Sequence, residues 1–302
     1  MLVCSIFNNN QLITKHQMKI AVLLTCHNRA DKTLLFLRSL YSLLLPRGCH
    51  LDVFLNDDGS TDGTGEMVAT EFPEVHIVSG SGNDYWCGGM RRAWKAALET
   101  GEKYDYFLWA NDDVELYSEA IDELLTVAEN PECCPVGLVC GSFCDPDTGE
   151  ITYGGYRERR LLLPNGKPQE CRYIHGNTVL VPCTTYEKIG MFDDRWTHGF
   201  GDSDYGLCCI EAGLKCWTTS KYIGTCKQHK IKGPWLSSEV PFLKRWELMW
   251  KPVGGNIREF VLFRRKHYPF RWPIDTVKFF VQVLFPKPFE FARRLRCLKC
   301  NL

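Results

Sequence analysis

Lys19-Ile20-Ala21-Val22-Leu23-Leu24-Thr25-Cys26-His27-Asn28-Arg29 and Leu51-Asp52-Val53-Phe54-Leu55-Asn56-Asp57-Asp58-Gly59-Ser60 share one plan, an apolar run that breaks into polar residues. Each run has the length and the β-branched content of a strand buried on both faces. Between them an amphipathic pattern over 32–45, closed by Pro46-Arg47-Gly48, predicts a helix. Working outward, the pattern predicts a helix over 62–69 with Thr61 or Asp62 as its cap, a strand over 75–78 and a helix over 90–99. A strand over 106–110 and a helix over 118–129 follow. Strands alternating with helices at this spacing give βαβ units: an α/β fold with a mostly parallel central sheet covered by helices on both faces. Beyond Pro131 the pattern becomes irregular, with short strands expected around 136–140, 151–153 and 178–181.

The chain has 302 residues and 45% apolar content, enough for one large core or a domain with an appendage. Its 36 basic and 36 acidic side chains balance, which excludes a nucleic-acid polycation and a disordered acidic chain. The balance hides a division. From Pro241 onward fourteen Lys and Arg face four acids, so the tail carries +10 and the first 240 residues −10. Sixteen cysteines occur without a convincing signal peptide, and we expect buried, reduced thiols in a cytoplasmic protein. Cys297-x-x-Cys300 stands alone and is a poor zinc candidate. No apolar run approaches the roughly 20 residues of a membrane span. Residues 1–17 show no periodicity; we expect a disordered extension, with Met18 the natural start.

In an open parallel sheet, ligands bind at the carboxyl ends of the strands. The first strand ends in Thr25-Cys26-His27-Asn28-Arg29, the second in Asn56-Asp57-Asp58-Gly59-Ser60, the fourth in Asn111-Asp112-Asp113. Carboxylate pairs there repel phosphate, but they can hydrogen-bond a ribose or base edge, or hold a divalent cation that carries phosphates. Asp-Asp-Gly-Ser is also ordinary turn and cap chemistry.

These residues carry a resemblance. Asn56-Asp57-Asp58-Gly59-Ser60-Thr61-Asp62-Gly63-Thr64 resembles the DDGSTDGT signature of glycosyltransferase family 2, inverting nucleotide-sugar enzymes of GT-A fold. Thr25-Cys26-His27-Asn28-Arg29 is similar to the family's T-x-x-N-R. Asn111-x-Asp113 stands where the family has its metal-binding D-x-D, with Asn first as in rhamnosyl- and galactofuranosyl-type members. Gly199-Phe200-Gly201-Asp202-Ser203-Asp204-Tyr205-Gly206-Leu207 resembles the later segment that supplies the base. The resemblance covers about residues 19–229.

It implies that Asp58 contacts the nucleotide base, with Asp57 beside it and Thr25 lining the base. Asn28, Arg29, Asn111 and Asp112 flank the donor, and Arg91 nears the nucleotide. Asp113 and His229 would hold Mg2+ or Mn2+, and the donor would be a UDP- or dTDP-sugar, occasionally a GDP-sugar. Cys208 departs from the family, which commonly has Arg there; Lys230 or Lys232 would take over. Asp202 is the expected catalytic base, ahead of Asp204. On a helix the two would face apart, and capping a helix that begins near Tyr205 is the alternative duty of both. Such a base opposite the leaving group gives inversion in a single displacement. Trp86 would stack on a sugar or simply pack, and His175 would reach the donor or shape a turn.

We therefore expect a GT-A catalytic domain over 18–235 and a basic, aromatic, helical tail over 236–302 that prolines cut into short pieces. Aromatic residues interleaved with Arg and Lys suit a peripheral position on an anionic membrane; packing on the acidic body is the alternative. The acceptor would be a carbohydrate or lipid-linked glycan. A sugar nucleotidyltransferase would want a Gly-rich loop after the first strand, which residues 25–30 lack. A non-catalytic sugar-binding protein of the same fold is the rival from another class.

Overall fold

The computed structural model describes residues 17–158, 160–228 and 233–292. The quoted runs form β1 (Met18–Cys26) and β2 (Cys49–Asp57), paired in parallel with Thr25 opposite Asn56 and Cys26 opposite Asp57. Their polar ends therefore finish on one edge. α1 (Ala30–Tyr41) joins them and buries Leu34, Leu37 and Leu40 against the sheet. α2 (Thr64–Glu71) leads to β3 (His76–Ser79), and α3 (Tyr85–Glu99) to β4 (Tyr106–Ala110), which pairs in parallel with β1.

The helix expected over 90–99 starts earlier because α3 needs its glycines. A Cβ on Gly89 would sit 2.0 Å from Thr25 Oγ1, so only Gly lets α3 lie this close to β1. The Cys87 N–H, bonded to Thr197 O at 2.9 Å, supports the first turn that propensity alone would lose.

The second half follows as β5 (Glu115–Leu116), α4 (Ala120–Ala128), β6 (Val136–Cys144), β7 (Ile151–Tyr153), β8 (Gly155–Arg157) and β9 (Arg160–Leu161). Then come β10 (Gln169–Cys171), β11 (Tyr173–Ile174), β12 (Thr178–Pro182), α5 (Cys183–Ile189), α6 (Gly201–Glu211) and β13 (Lys215–Thr225). The main sheet runs β10-β13-β6-β12-β4-β1-β2-β3, and β8, β9 and β11 form a separate small sheet. On that main path only β12 and β10 oppose the common strand direction. Alternation along β1 divides the core: Ile20, Val22 and Leu24 pack under α1 and α4, while Ala21 and Leu23 meet Met90, Trp94 and Tyr205 of α3 and α6. Most described cysteines fill these layers as unpaired thiols, and burial pushes Cys140 up to about 12, which leaves it inert.

The tail contains α7 (Phe242–Leu248), α8 (Ile257–His267) and α9 (Trp272–Leu284), with helical residues 286–292 beyond. α8 packs on the body, Phe263 stacking near Trp196 and Phe200. α7 and α9 enclose a second core around Met249, Phe279 and Val283, where buried Arg245 donates to Val283 O at 2.9 Å. Among the described residues no helix is long and apolar enough to cross a membrane. The expected N-terminal extension up to residue 16, His229, Lys230, Lys232 and the Cys297–Cys300 pair lie outside the described residues.

Candidate active site

The loops after β1 and β2 are stitched together. Asn28, at φ 51°, donates its N–H to Ser60 Oγ at 2.9 Å and accepts the Thr61 N–H on Oδ1 at 2.7 Å. Thr25 Oγ1 accepts from Asn56 Nδ2 at 3.2 Å. Asp57 is half-buried and accepts the Ser60 N–H at 3.0 Å. Asp58 is different: only 4% exposed, it accepts the N–H of Gly82 at 2.7 Å, Asp84 at 2.9 Å and Tyr85 at 3.0 Å. Three charge-assisted bonds to backbone occupy both of its oxygens. Its duty in this structure is to hold the loop entering α3, so a direct contact with the base is not what its geometry offers; Asp57 is the more open of the pair.

Arg91 also differs from expectation. Its Nη1 donates to Asp193 O at 3.0 Å and Trp196 O at 2.8 Å, turning the guanidinium toward the loop before α6 rather than the nucleotide edge.

At the end of β4, Arg29 bridges two acids, with Nε 3.2 Å from Asp112 Oδ2 and Nη2 3.0 Å from Asp113 Oδ2. Asp112 is 3% exposed and accepts from Thr33 Oγ1 at 3.1 Å. Burial pushes its carboxyl up to about 6; Arg29 opposes this and the charge of Asp113 adds to it. Asp112 and Asp113 line a cavity of about 250 Å3 with Lys32, Cys226 and Lys227. The carboxylates of Asp112 and Asp113 are hard oxygen donors of the kind that suits Mg2+ or Mn2+, and Arg29 holds one oxygen of each.

Asn111 faces the other way. Its Oδ1 accepts from Trp86 Nε1 at 2.8 Å and its N–H donates to Asn177 O at 2.8 Å. Trp86 also stands edge-on to Phe192 and Trp109, so packing and orientation of Asn111 are what its ring provides. It closes over Gly176, where a Cβ would lie 2.8 Å from the ring and 3.3 Å from Asp202 Cβ. Asp202 accepts the Gly176 N–H at 3.1 Å and the Ser203 N–H at 2.6 Å. It does not line the Asp112–Asp113 cavity; it stands across Gly176 and Trp86 from Asn111. Burial raises the Asp202 carboxyl, and the two N–H bonds only partly offset this.

α6 begins at Gly201, not near Tyr205, with Phe200 at φ 66° ahead of it. Asp202 and Asp204 therefore lie in its first turn, favoured there by the helix dipole, and neither caps it. They face apart as a helix requires. Asp204, 3% exposed, is paired with Lys266 Nζ at 2.9 Å and His267 Nε2 at 2.7 Å. Burial pushes its carboxyl up, but these bonds outweigh that and hold it low. Of the two acids of α6, Asp202 is the one without a basic partner among the described residues.

His175 is neutral, since burial lowers it to about 4. Its Nδ1 accepts the Gly154 N–H at 3.2 Å, so Nε2 carries the proton and donates to Tyr156 Oη at 2.7 Å. Glu259 gave no signal in the sequence. It lies 62 residues from Thr197, whose N–H and hydroxyl both donate to its Oε1, and the Thr197 carbonyl in turn anchors α3. No local spacing reports such a contact.

Residues 21–189 match a family model described as glycosyl transferase family 2. Over 209 residues the chain is 27% identical to the N-acetylglucosaminyl-diphospho-decaprenol L-rhamnosyltransferase of Mycobacterium tuberculosis, covering 58% of this chain and 66% of that one, just under two thirds of its length. A mannosyltransferase from Pyrobaculum calidifontis, solved with GDP-Man and Mn2+, superposes with a TM-score of 0.57 at 15% identity over 95% of this chain and 75% of its own. S. aureus TarS 1–349, solved with UDP-GlcNAc, gives 0.53 at 14% identity over 88% and 82%. At these identities the structural likeness concerns the fold, which is the GT-A type. The family model spans more than half of the sequence, and the chain belongs to glycosyl transferase family 2.

Proposed function

We propose that the chain transfers a sugar from a UDP- or dTDP-sugar to a carbohydrate or lipid-linked acceptor, with inversion and dependence on Mg2+ or Mn2+. The observation that carries this reading is the separation of duties among its acids. Asp112 and Asp113 share Arg29 in one cavity, and Asp202 stands apart with a raised carboxyl, backbone N–H donors on it and no basic partner among the described residues. The curated relative is named for a lipid-linked acceptor, and the two solved neighbours carry nucleotide-sugars, one with Mn2+.

Asp113, beside Asp112 and with His229 as a further candidate, would hold the cation, which when bound neutralises the developing diphosphate charge. Asp57 and Thr25 face the nucleotide, while Asn28 and Asp58 keep their loops in place. Asp202 takes the proton of the acceptor hydroxyl as it attacks the anomeric carbon from the face opposite the diphosphate. Its raised carboxyl is the stronger base. Residues 18–235 would form the catalytic domain. The tail beyond would meet an anionic membrane at the cytoplasmic face through exposed Leu243, Trp246, Phe270 and Ile274 and their basic neighbours.

Calorimetry of UDP, dTDP and GDP with and without Mn2+ tests the donor side. Affinity should depend on the cation in the native chain and lose that dependence in Asp113→Ala. Equal affinity with and without Mn2+ in the native chain would refute the cation assignment, and absence of donor hydrolysis under any of these conditions would favour a non-catalytic binder.

A further inference from the structure

A second cavity, about 500 Å3, lies between α8, α9 and the small β8–β11 sheet. Tyr173, Phe260 and Tyr268 supply aromatic wall, and Arg264, Arg271 and Lys278 supply positive charge. Glu158 and Asp275 are the carboxylates that line it, so cations exceed acids by one. Arg264 is set within this wall: its guanidinium lies 3.9 Å from the centre of the Tyr268 ring and pairs with Asp275, while its buried Nε has no hydrogen-bond partner among the described residues. A desolvated guanidinium N–H without an acceptor is costly unless a ligand oxygen supplies one. Arg271 is 70% exposed at the rim and its nearest carboxylate oxygen, on Asp275, is 4.0 Å away.

The cavity borders the loop that leads into α6 just before Asp202. Phe260 and Phe263, which line it, have ring centres 6.3 and 5.1 Å from Phe200, two residues before Asp202. α9 also has two faces. Asp275, Lys278, Phe279 and Gln282 line the cavity at helical spacing. Ile274 and Val277, 70% and 63% exposed, form an apolar strip on another face, with Phe270 94% exposed just before the helix. A cationic, aromatic hollow beside an exposed apolar strip matches a ligand with an anionic head and an apolar chain.

We infer that this groove binds the diphosphate head of an amphiphilic acceptor, with Arg264, Arg271 and Lys278 on its phosphates and the α9 strip along its chain. The inference rests on the transferase reading and names the acceptor class for it. The aromatic walls then face the sugar that follows the diphosphate.

The test is calorimetry on the full chain with undecyl diphosphate, below its micelle concentration, and with inorganic diphosphate. Undecyl diphosphate should bind the native chain. The exposed double substitution Arg271→Ala/Lys278→Ala should weaken it at least about tenfold, the scale of one charge-assisted hydrogen bond. Arg258→Ala/Lys287→Ala removes two exposed tail cations outside the lining and should leave affinity within about twofold, the scale of surface charges without a partner in the site. Unchanged affinity in the first variant, or equal loss in both, overturns the groove. Inorganic diphosphate binding as tightly as the undecyl compound overturns the amphiphile and leaves a free-anion site. The same native sample titrated with UDP and Mn2+ separates the two readings: no nucleotide binding with undecyl diphosphate binding intact removes the transferase reading and keeps the groove.

Discussion

At the edge formed by β1, β2 and β4, Arg29 holds Asp112 and Asp113 together because parallel register brings three strand ends to one place. At α6, Asp202 and Asp204 are two residues apart and have opposite surroundings. Gly176 reaches one and the tail residues Lys266 and His267 reach the other. The first site is assembled by sheet topology and the second by helix packing over long separations. Charge follows the same division: the acidic edge is relieved by a guanidinium from its own neighbourhood, whereas Asp204 depends on the basic tail for its compensation.

The sharpest way to break this comparison is Asp202→Asn. A lost general base should lower turnover by about 10²- to 10⁴-fold with nucleotide affinity unchanged; near-native turnover would mean that the two acids of α6 are not distinguished as described. Next comes Arg29→Met, which leaves buried Asp112 beside Asp113 without their shared cation. Stability should fall by about 2–3 kcal/mol, allowing for the partial exposure of Arg29. Added Mn2+ should raise the melting temperature of this variant more than that of the native chain, and an equal rise would argue against the cation site. Lys266→Met should cost about 2 kcal/mol, since buried Asp204 loses one of its two basic partners and the lysine is itself partly exposed. Unaltered melting would show that tail and body are energetically separate.

Smaller effects sharpen the comparison. Glu259→Ala should lower kcat about tenfold through the loop before Asp202 and leave nucleotide affinity alone, the scale of a modest misplacement of a reacting group. Glu259→Gln, which still offers Oε1 to Thr197, should recover most of that loss. Failure of Gln to rescue would mean that the charge, not the hydrogen bond, matters. The mildest expectation is a shift in pH. On the proposed mechanism transfer needs the Asp202 carboxylate, whose carboxyl is raised by burial, so activity should be lost as pH falls through a value above the ordinary carboxylate range. Measured at saturating donor and Mn2+, an acid limb at or below about pH 4 would contradict this.

What could be read in advance follows the same line. The strands ending at Thr25, Asn56 and Asn111 announce themselves as apolar runs with acidic ends, and parallel pairing then places those ends together without further information. The start of α3 was not legible, because Gly88 and Gly89 weaken a helix by propensity while close packing on Thr25 requires a glycine there. Asp58 and Arg91 carry the right chemistry at the right spacing, yet backbone groups absorb them. Glu259, Lys266 and His267 act across some sixty residues of chain, where no periodicity connects partners. The basic composition of the tail was plain, but not that α8 would be built into the catalytic body.

The central claim is that a lone carboxylate, set apart from the cation-binding edge, deprotonates the acceptor in one displacement. The anomeric configuration of the first-formed product, read by proton NMR before any mutarotation, tests it most directly. The account predicts a configuration opposite to that of the donor. Retention would require a second nucleophile and would contradict the role given to Asp202.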